Sequence, residues 1–192
     1  GIFETSKVFN AIIGNQNEKP LEKNVLAILL TGRRLLKSWN EQERYFDYYD
    51  LKGILESLSE LFYHKYELSI ESREYKFFHP VISGNIILKN KKMGIIGKIH
   101  PKIINELDIK QDIYFMEIDL DLFIDNRVME KSYKQFSAFP SVNIDMAFIV
   151  DEELNCAEIE KEIISVSGKN LKSLRLFDLY RGKQIGENKK SL

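Results

Sequence analysis

Apolar and polar residues alternate along this chain at two different periods, and the switch between them marks out its elements. Ile2–Phe9 and the mostly apolar Val25–Leu30 read as strands of a long antiparallel hairpin, joined by a polar loop over Asn10–Asn24 that holds Gly14 and Pro20. Arg33–Arg44 is a mixed connection carrying the only tryptophan, Trp39. The period then changes to that of a helix: Leu51, Ile54, Leu55, Leu58, Leu61 and Phe62 form one apolar stripe, and Asp47 or Asp50 can cap its start. Gly53 inside that helix costs about 1 kcal/mol against alanine, which predicts a close packing partner at that point. Strands follow at Tyr66–Ile70, at Gly84–Leu88 and Met93–His100 around a turn at Asn90-Lys91-Lys92, and at Ile113–Ile118. Pro101 suits the first turn of a short helix ending near Leu107, and Asp119–Phe123 either prolongs the preceding strand or starts another short helix. Arg127–Gln135 is polar and reads as a linker.

Beyond the linker the pattern is strand, helix, strand. In Ser137–Asp151, alternation sets Met146, Phe148 and Val150 on one face and Asp145 and Ala147 on the other. Cys156, Ile159, Ile163 and Val166 form a helical stripe, with Asn155 and Glu158 spaced as a capping box and Gly168 placed to end the helix. In Leu176–Gly182, Phe177 and Leu179 share one face, Asp178 and Tyr180 the other. Gly182 and Gly186 then turn the chain into a strand at Lys189–Leu192. This order is the first half of a ferredoxin-like unit. A carboxylate beside an aromatic ring on an open sheet face suits a flat base, because the ring stacks while the carboxylate accepts hydrogen bonds from the base edge.

Composition narrows the classes. A chain of 192 residues that is 44% hydrophobic supports one large or two small packed domains and excludes disorder. Its longest apolar run, Val25–Leu30, is far too short to span a bilayer as a helix. The single Cys156 excludes an intramolecular disulfide framework and a multi-cysteine metal site, and it fits a cytoplasmic protein. Net charge is −1, so this is not a globally basic nucleic-acid binder, yet residues 168–192 hold seven lysines and arginines against two acids, a local excess of +5. Such a basic end beside the acidic 151–162 segment can orient an RNA backbone, although charge alone favours an ordinary solvated surface. The start at Gly1 without an initiator Met, and the end before a second ferredoxin helix and final strand, read as an excised piece.

Catalytic patterns are sparse. His64, His79 and His100 make no metal-ligand spacing, and the two that precede proline suit turns. No nucleophile elbow or phosphate-binding P-loop occurs, and Gly94-x-x-Gly97 reads as close backbone packing in a strand. Glu117, Asp119 and Asp121 alternate as on one solvated or salt-bridged strand face. Tyr45, Phe46, Tyr48 and Tyr49 are equally suited to a partner contact and to core packing.

Several motifs together carry a resemblance. They are Ser137-Ala138-Phe139-Pro140-Ser141 with Asp145-Met146-Ala147, then Leu176-Phe177-Asp178-Leu179-Tyr180-Arg181-Gly182, then Lys189-Lys190-Ser191-Leu192. Upstream and collinear stand Phe3-Glu4 with Lys7-Val8-Phe9, Asp47-Tyr48-Tyr49-Asp50-Leu51-Lys52-Gly53, His79-Pro80, Gly94–Pro101 and Glu117–Asp121. Over nearly its whole length the chain resembles the bacterial phenylalanine–tRNA ligase beta chain, departing at Ser6 and at Val81–Gly84. The resemblance implies an α+β architecture: an antiparallel-sheet, class II synthetase-like but non-catalytic domain over 1–130, followed by a truncated ferredoxin-like anticodon-binding domain over 133–192. It implies an α2β2 assembly with a catalytic alpha subunit and with tRNA(Phe) as partner and no membrane. ATP and Mg²⁺ would serve the whole enzyme, with none bound by this segment. A true catalytic core is disfavoured, since a class II site needs an arginine on the hairpin and Ile2–Phe9 offers only Lys7. Position by position, the resemblance assigns the anticodon site to Ala147, Asp178, Tyr180 and Ser191. Tyr180 would stack on the first anticodon base, Asp178 and Ser191 would hydrogen-bond to it, and Ala147 would leave room for it. The alternatives are a stand-alone RNA-binding module of ferredoxin-like fold, a purely structural interaction protein, and a catalytic class II subunit.

Overall fold

A computed structural model describes residues 1–10, 20–61, 68–126 and 139–192. The chain divides into two compact units, Gly1–Tyr133 and Lys134–Leu192. The expected linker at Arg127–Gln135, His64, Phe62 and the Ser137-Ala138 pair lie outside the described residues in whole or in large part.

The first unit contains β1 (Ile2–Asn10), β2 (Leu21–Thr31), a small hairpin of β3 (Arg33–Leu35) and β4 (Arg44–Tyr45), and helix α1 (Tyr48–Leu61). These are followed by β5 (Leu68–Ser72), β6 (Phe78–Leu88), β7 (Lys91–Ile99), α2 (Pro101–Glu106), β8 (Ile113–Asp119) and α3 (Leu120–Asp125). Six strands form one antiparallel sheet in the order β1-β2-β8-β7-β6-β5. Alternation along the strands turns Ile28, Leu30, Ile86, Leu88, Ile96, Tyr114, Met116 and Ile118 to one face. There they pack with Leu51, Leu55 and Phe123 into a single buried cluster. Burying each such side chain fully is worth about 1.5–3 kcal/mol.

The helix start is doubly capped. The Asp47 carboxylate accepts from the Asp50 amide at 2.9 Å, and the Asp50 carboxylate accepts from the Asp47 amide at 3.0 Å. Asp47 is therefore the cap, and its answering partner is Asp50. Two expectations for α1 fail. Leu61, the last residue of α1, is 70% exposed. Gly53 has no atom within 4 Å of where a Cβ would stand, so no close neighbour requires it.

Strand limits differ from the expected ones in an informative way. Leu21–Asn24 is paired with Lys7–Asn10 and is not loop, because main-chain bonding at a solvated edge tolerates polar side chains. The β6–β7 turn is Lys89-Asn90, one position earlier than expected, with Leu88 opposite Lys91. Both turn residues have positive φ, 48° and 64°, the conformation of the tight turn that matches strand twist. β6 starts at Phe78 rather than Gly84, and its register shifts between Phe78 and Ser83, where Pro80 cannot donate to a ladder.

In the second unit β9 (Ile149–Asp151), α4 (Cys156–Ser167) and β10 (Lys189–Ser191) are the regular elements. β9 and β10 pair antiparallel. Phe148 and Leu192 extend that ladder by exchanging two bonds of 3.0 Å, and Tyr180 exchanges two bonds of 2.9 Å with Ser191 on the other side of β10. β10 thus lies between the 148–151 and 180 segments. The strands expected over 144–148 and 176–179 carry no ladder of their own beyond these pairs. β10 is their shared partner and supplies only three residues plus Leu192. Gly168 ends α4 as expected, with φ 55°, and its amide donates to the Ile164 carbonyl. The expected capping box does not form, since the Asn155 side chain makes no capping bond.

Candidate nucleic-acid interface

The register of β10 determines which side chains share a face. Ser191 stands opposite Ile149 on one side and opposite Tyr180 on the other, and directly opposed side chains lie on the same side of a sheet. Counting back two residues along each extended segment adds Ala147 and Asp178 to that side. The four residues named from sequence are thereby gathered by backbone pairing that joins three segments far apart in the chain. Ala147, Asp178 and Ser191 also line a common cleft of about 380 Å³, together with Arg175 and with Cys156, Ile159 and Ile163 of α4. Tyr180 is not among its lining residues; its side chain is 43% exposed. One carboxylate oxygen of Asp178 accepts from the Leu179 amide at 2.8 Å, which orients the carboxylate along the strand.

Among its described residues this unit buries no side chain fully. Phe177 is 66% exposed and Val166 76%, although Val166 lies on the apolar stripe of α4. The apolar faces of α4 and of the extended segments thus form the wall of the cleft.

Electrostatics is arranged around the turn after Tyr180. The Arg181 guanidinium grips the Glu152 carboxylate through three contacts of 2.6–3.1 Å. That bond holds the Glu152 carboxyl below its usual range and raises Arg181. Lys189 pairs with Asp151 at 2.8 Å and holds its carboxyl down in the same way, while Lys190 donates to the Glu152 carbonyl at 2.7 Å. Three of the seven basic residues are thus engaged with the acidic segment, whereas Lys169, Lys172, Arg175 and Lys183 make no ion pair among the described residues. The Glu152–Arg181 clamp was not visible in the sequence, although Arg181 stands in the Leu176–Gly182 motif; 29 residues separate the partners.

In the first unit the candidate chemistry resolves into structure. His79 Nδ1 accepts from the Val81 amide at 3.3 Å, and His100 Nδ1 accepts from the Lys102 amide at 3.1 Å and caps α2. Asp119 caps α3 through the Leu122 amide and pairs with Lys23 at 3.2 Å. Asp121 belongs to the first turn of α3 rather than to the strand face, and it accepts from the amide and side chain of Asn24 at 2.9 and 2.7 Å. Those bonds lower its pKa. Gly94 and Gly97 are packing glycines: a Cβ on Gly94 would overlap the Glu117 carbonyl, and one on Gly97 would sit 2.8 Å from the Ile82 carbonyl and 2.9 Å from the Phe78 ring. Lys7 pairs with Glu22 at 3.1 Å. The aromatic group divides: Phe46 and Tyr48 pack on the core, while Tyr45 is 51% and Tyr49 74% exposed. Among the described residues no group of three or more His, Cys, Asp or Glu could hold a metal ion. No helix among them is long and apolar enough to cross a membrane.

Comparison with known proteins places both units. Residues 137–192 match the family model of the ferredoxin-fold anticodon binding domain, and residues 1–120 match that of the phenylalanyl tRNA synthetase beta chain CLM domain. Fold and matches together define a mixed helix and antiparallel-sheet domain followed by an anticodon-binding ferredoxin fold. The chain belongs to the phenylalanyl-tRNA synthetase beta chain family. Across its full length it is similar to the phenylalanine–tRNA ligase beta subunits of Clostridium tetani (38% identity) and Clostridium acetobutylicum (36%), of which it spans 22%. It is 34% identical to that of Syntrophotalea carbinolica, of which it spans 24%.

Proposed function

We propose that this chain serves as part of the beta subunit of phenylalanine–tRNA ligase, reading the tRNA anticodon with residues 133–192 and supporting the catalytic alpha subunit with residues 1–130. The observation that carries the reading is the β10 register, which sets Ala147, Asp178, Tyr180 and Ser191 on one face of a unit matching anticodon-binding domains. On this reading Tyr180 stacks on the first anticodon base, Asp178 and Ser191 take hydrogen bonds from its edge, and Ala147 keeps the floor open. Lys183 and Arg175 supply positive charge for the phosphates nearby. The assembly is α2β2 and cytoplasmic, and it joins phenylalanine to tRNA(Phe) with ATP and Mg²⁺. Among the described residues of the first unit, the side chains that could meet a nucleotide or its metal are already engaged. Lys7 is paired with Glu22, and Asp119 and Asp121 are taken up by helix capping, Lys23 and Asn24. The chemistry is therefore assigned to alpha, and the part of residues 1–130 is mechanical. Exposed Trp39, Leu36 and Tyr49 suit a protein contact there.

The test is binding by a full-length beta chain carrying this sequence, assembled with alpha. The ligands are tRNA(Phe) and the same tRNA with its first anticodon base changed. Loss of base–aromatic stacking should make Tyr180→Ala weaken cognate binding by about 1–3 kcal/mol, with little effect on the altered tRNA. Equal binding of both tRNAs, untouched by Tyr180→Ala, would leave only the supporting role.

A further inference from the structure

We propose that Gly182 is a positioning residue for Tyr180, holding the aromatic ring where it can stack by leaving empty the space a side chain would fill; this rests on the anticodon-reading assignment above. Glycine is not demanded here by the backbone. Gly182 has φ −173° and ψ 166°, an extended conformation open to any residue. The left-handed turn that does need glycine is made four residues later, at Gly186 with φ 93°. What Gly182 provides is room. A Cβ at this position would lie 2.6 Å from Cζ and 3.0 Å from Cε1 of Tyr180, and closer still to the phenol oxygen. The ring therefore lies along the chain over the Gly182 Cα, as residues two apart on one face of an extended segment allow.

Neither neighbour can yield easily. The Tyr180 backbone is fixed by two 2.9 Å bonds to Ser191, and Arg181, between the two residues, is clamped to Glu152. A side chain at 182 can be accommodated only by rotating the tyrosine ring away. The ring would then leave the place it occupies in line with Asp178 and opposite Ser191. Specificity for the anticodon base would pass with it, although residue 182 touches no RNA.

A double-mutant cycle in the assembled ligase, with a full-length beta chain, tests this. KM for tRNA(Phe) and kcat are measured for Gly182→Ala, Tyr180→Ala and the double variant, with melting curves alongside. Gly182→Ala should raise KM towards the value for Tyr180→Ala, a change on the order of 5- to 150-fold. kcat at saturating tRNA should stay unchanged. In the Tyr180→Ala background Gly182→Ala should add less than about 2-fold, since the ring it acts through is gone. If Gly182→Ala lowers the melting temperature, the double variant should restore it. An unchanged KM for Gly182→Ala beside a raised one for Tyr180→Ala overturns the inference and leaves the anticodon reading standing. Additive effects, or melting not restored in the double variant, overturn it as well. An unchanged KM for Tyr180→Ala removes the anticodon reading itself, and the inference with it.

Discussion

Two glycines of the first unit should respond to the same substitution with opposite sign. Gly94 sits in β7 opposite Ile118 of β8. An added Cβ there would overlap the Glu117 carbonyl oxygen and stand 3.1 Å from both the Glu117 carbonyl carbon and the Ile118 Cα. All three are backbone atoms, so relief requires the two central strands to separate. Losing one or two ladder bonds, each worth about 0.5–1.5 kcal/mol net, and leaving a strand carbonyl unsatisfied at about 1–3 kcal/mol, gives a cost of about 1.5–6 kcal/mol for Gly94→Ala. Gly53, in the interior of α1 with nothing within 4 Å of its missing Cβ, carries only the entropic penalty of glycine in a helix. Gly53→Ala should therefore stabilise by about 0.5–1 kcal/mol. Urea unfolding followed by circular dichroism reads both, and at about 2–4 °C per kcal/mol the melting temperatures should move in opposite directions. A tolerated Gly94→Ala, within about 0.5 kcal/mol of the parent, would refute the close strand approach. A destabilising Gly53→Ala would show that α1 meets a neighbour at that point.

Other outcomes follow from the ion pairs and the anticodon face. Asp50 has a side chain only 5% exposed and is held by both Arg34 and Arg44. Asp50→Ala should cost about 1–3 kcal/mol in chemical denaturation, less than a fully buried pair because both guanidiniums keep water. Glu152 and Asp151 have carboxyls held below their ordinary values by Arg181 and Lys189. Their contribution to the second unit should be complete above about pH 5 and fade as pH falls through the lowered folded values. Glu152→Gln should flatten the acid limb of a stability–pH profile, and an unchanged limb would show that the clamp does not hold the turn. Tyr180→Ala should reduce cognate tRNA affinity while leaving the melting temperature of the first unit within about 1 °C, because that residue belongs to the second unit's ladder.

Much of this protein could be read from local sequence. Period-2 and period-3.6 patterns placed β2, β8, α1 and α4 because each is a continuous run whose apolar side must be covered, whatever covers it. Gly168 and Pro101 marked helix ends by backbone geometry alone. The motif around Asp178 and Tyr180 named the candidate site, since a ring and a carboxylate two residues apart on an extended segment share a face in any fold. What needed the tertiary structure was every fact that depends on a distant partner. Leu21–Asn24 became strand through β1, and Asp121 left the strand face to meet Asn24. Leu61 and Val166 lay on apolar stripes yet stayed exposed, since burial needs a covering surface that periodicity does not supply. Ser191 joined Tyr180 only through the register of β10, and Glu152 met Arg181 across 29 residues. The roles of Gly94 and Gly182 lay in the space they leave vacant, which no local pattern records. Local periodicity fixes which way a side chain faces; only the packed chain decides what it faces.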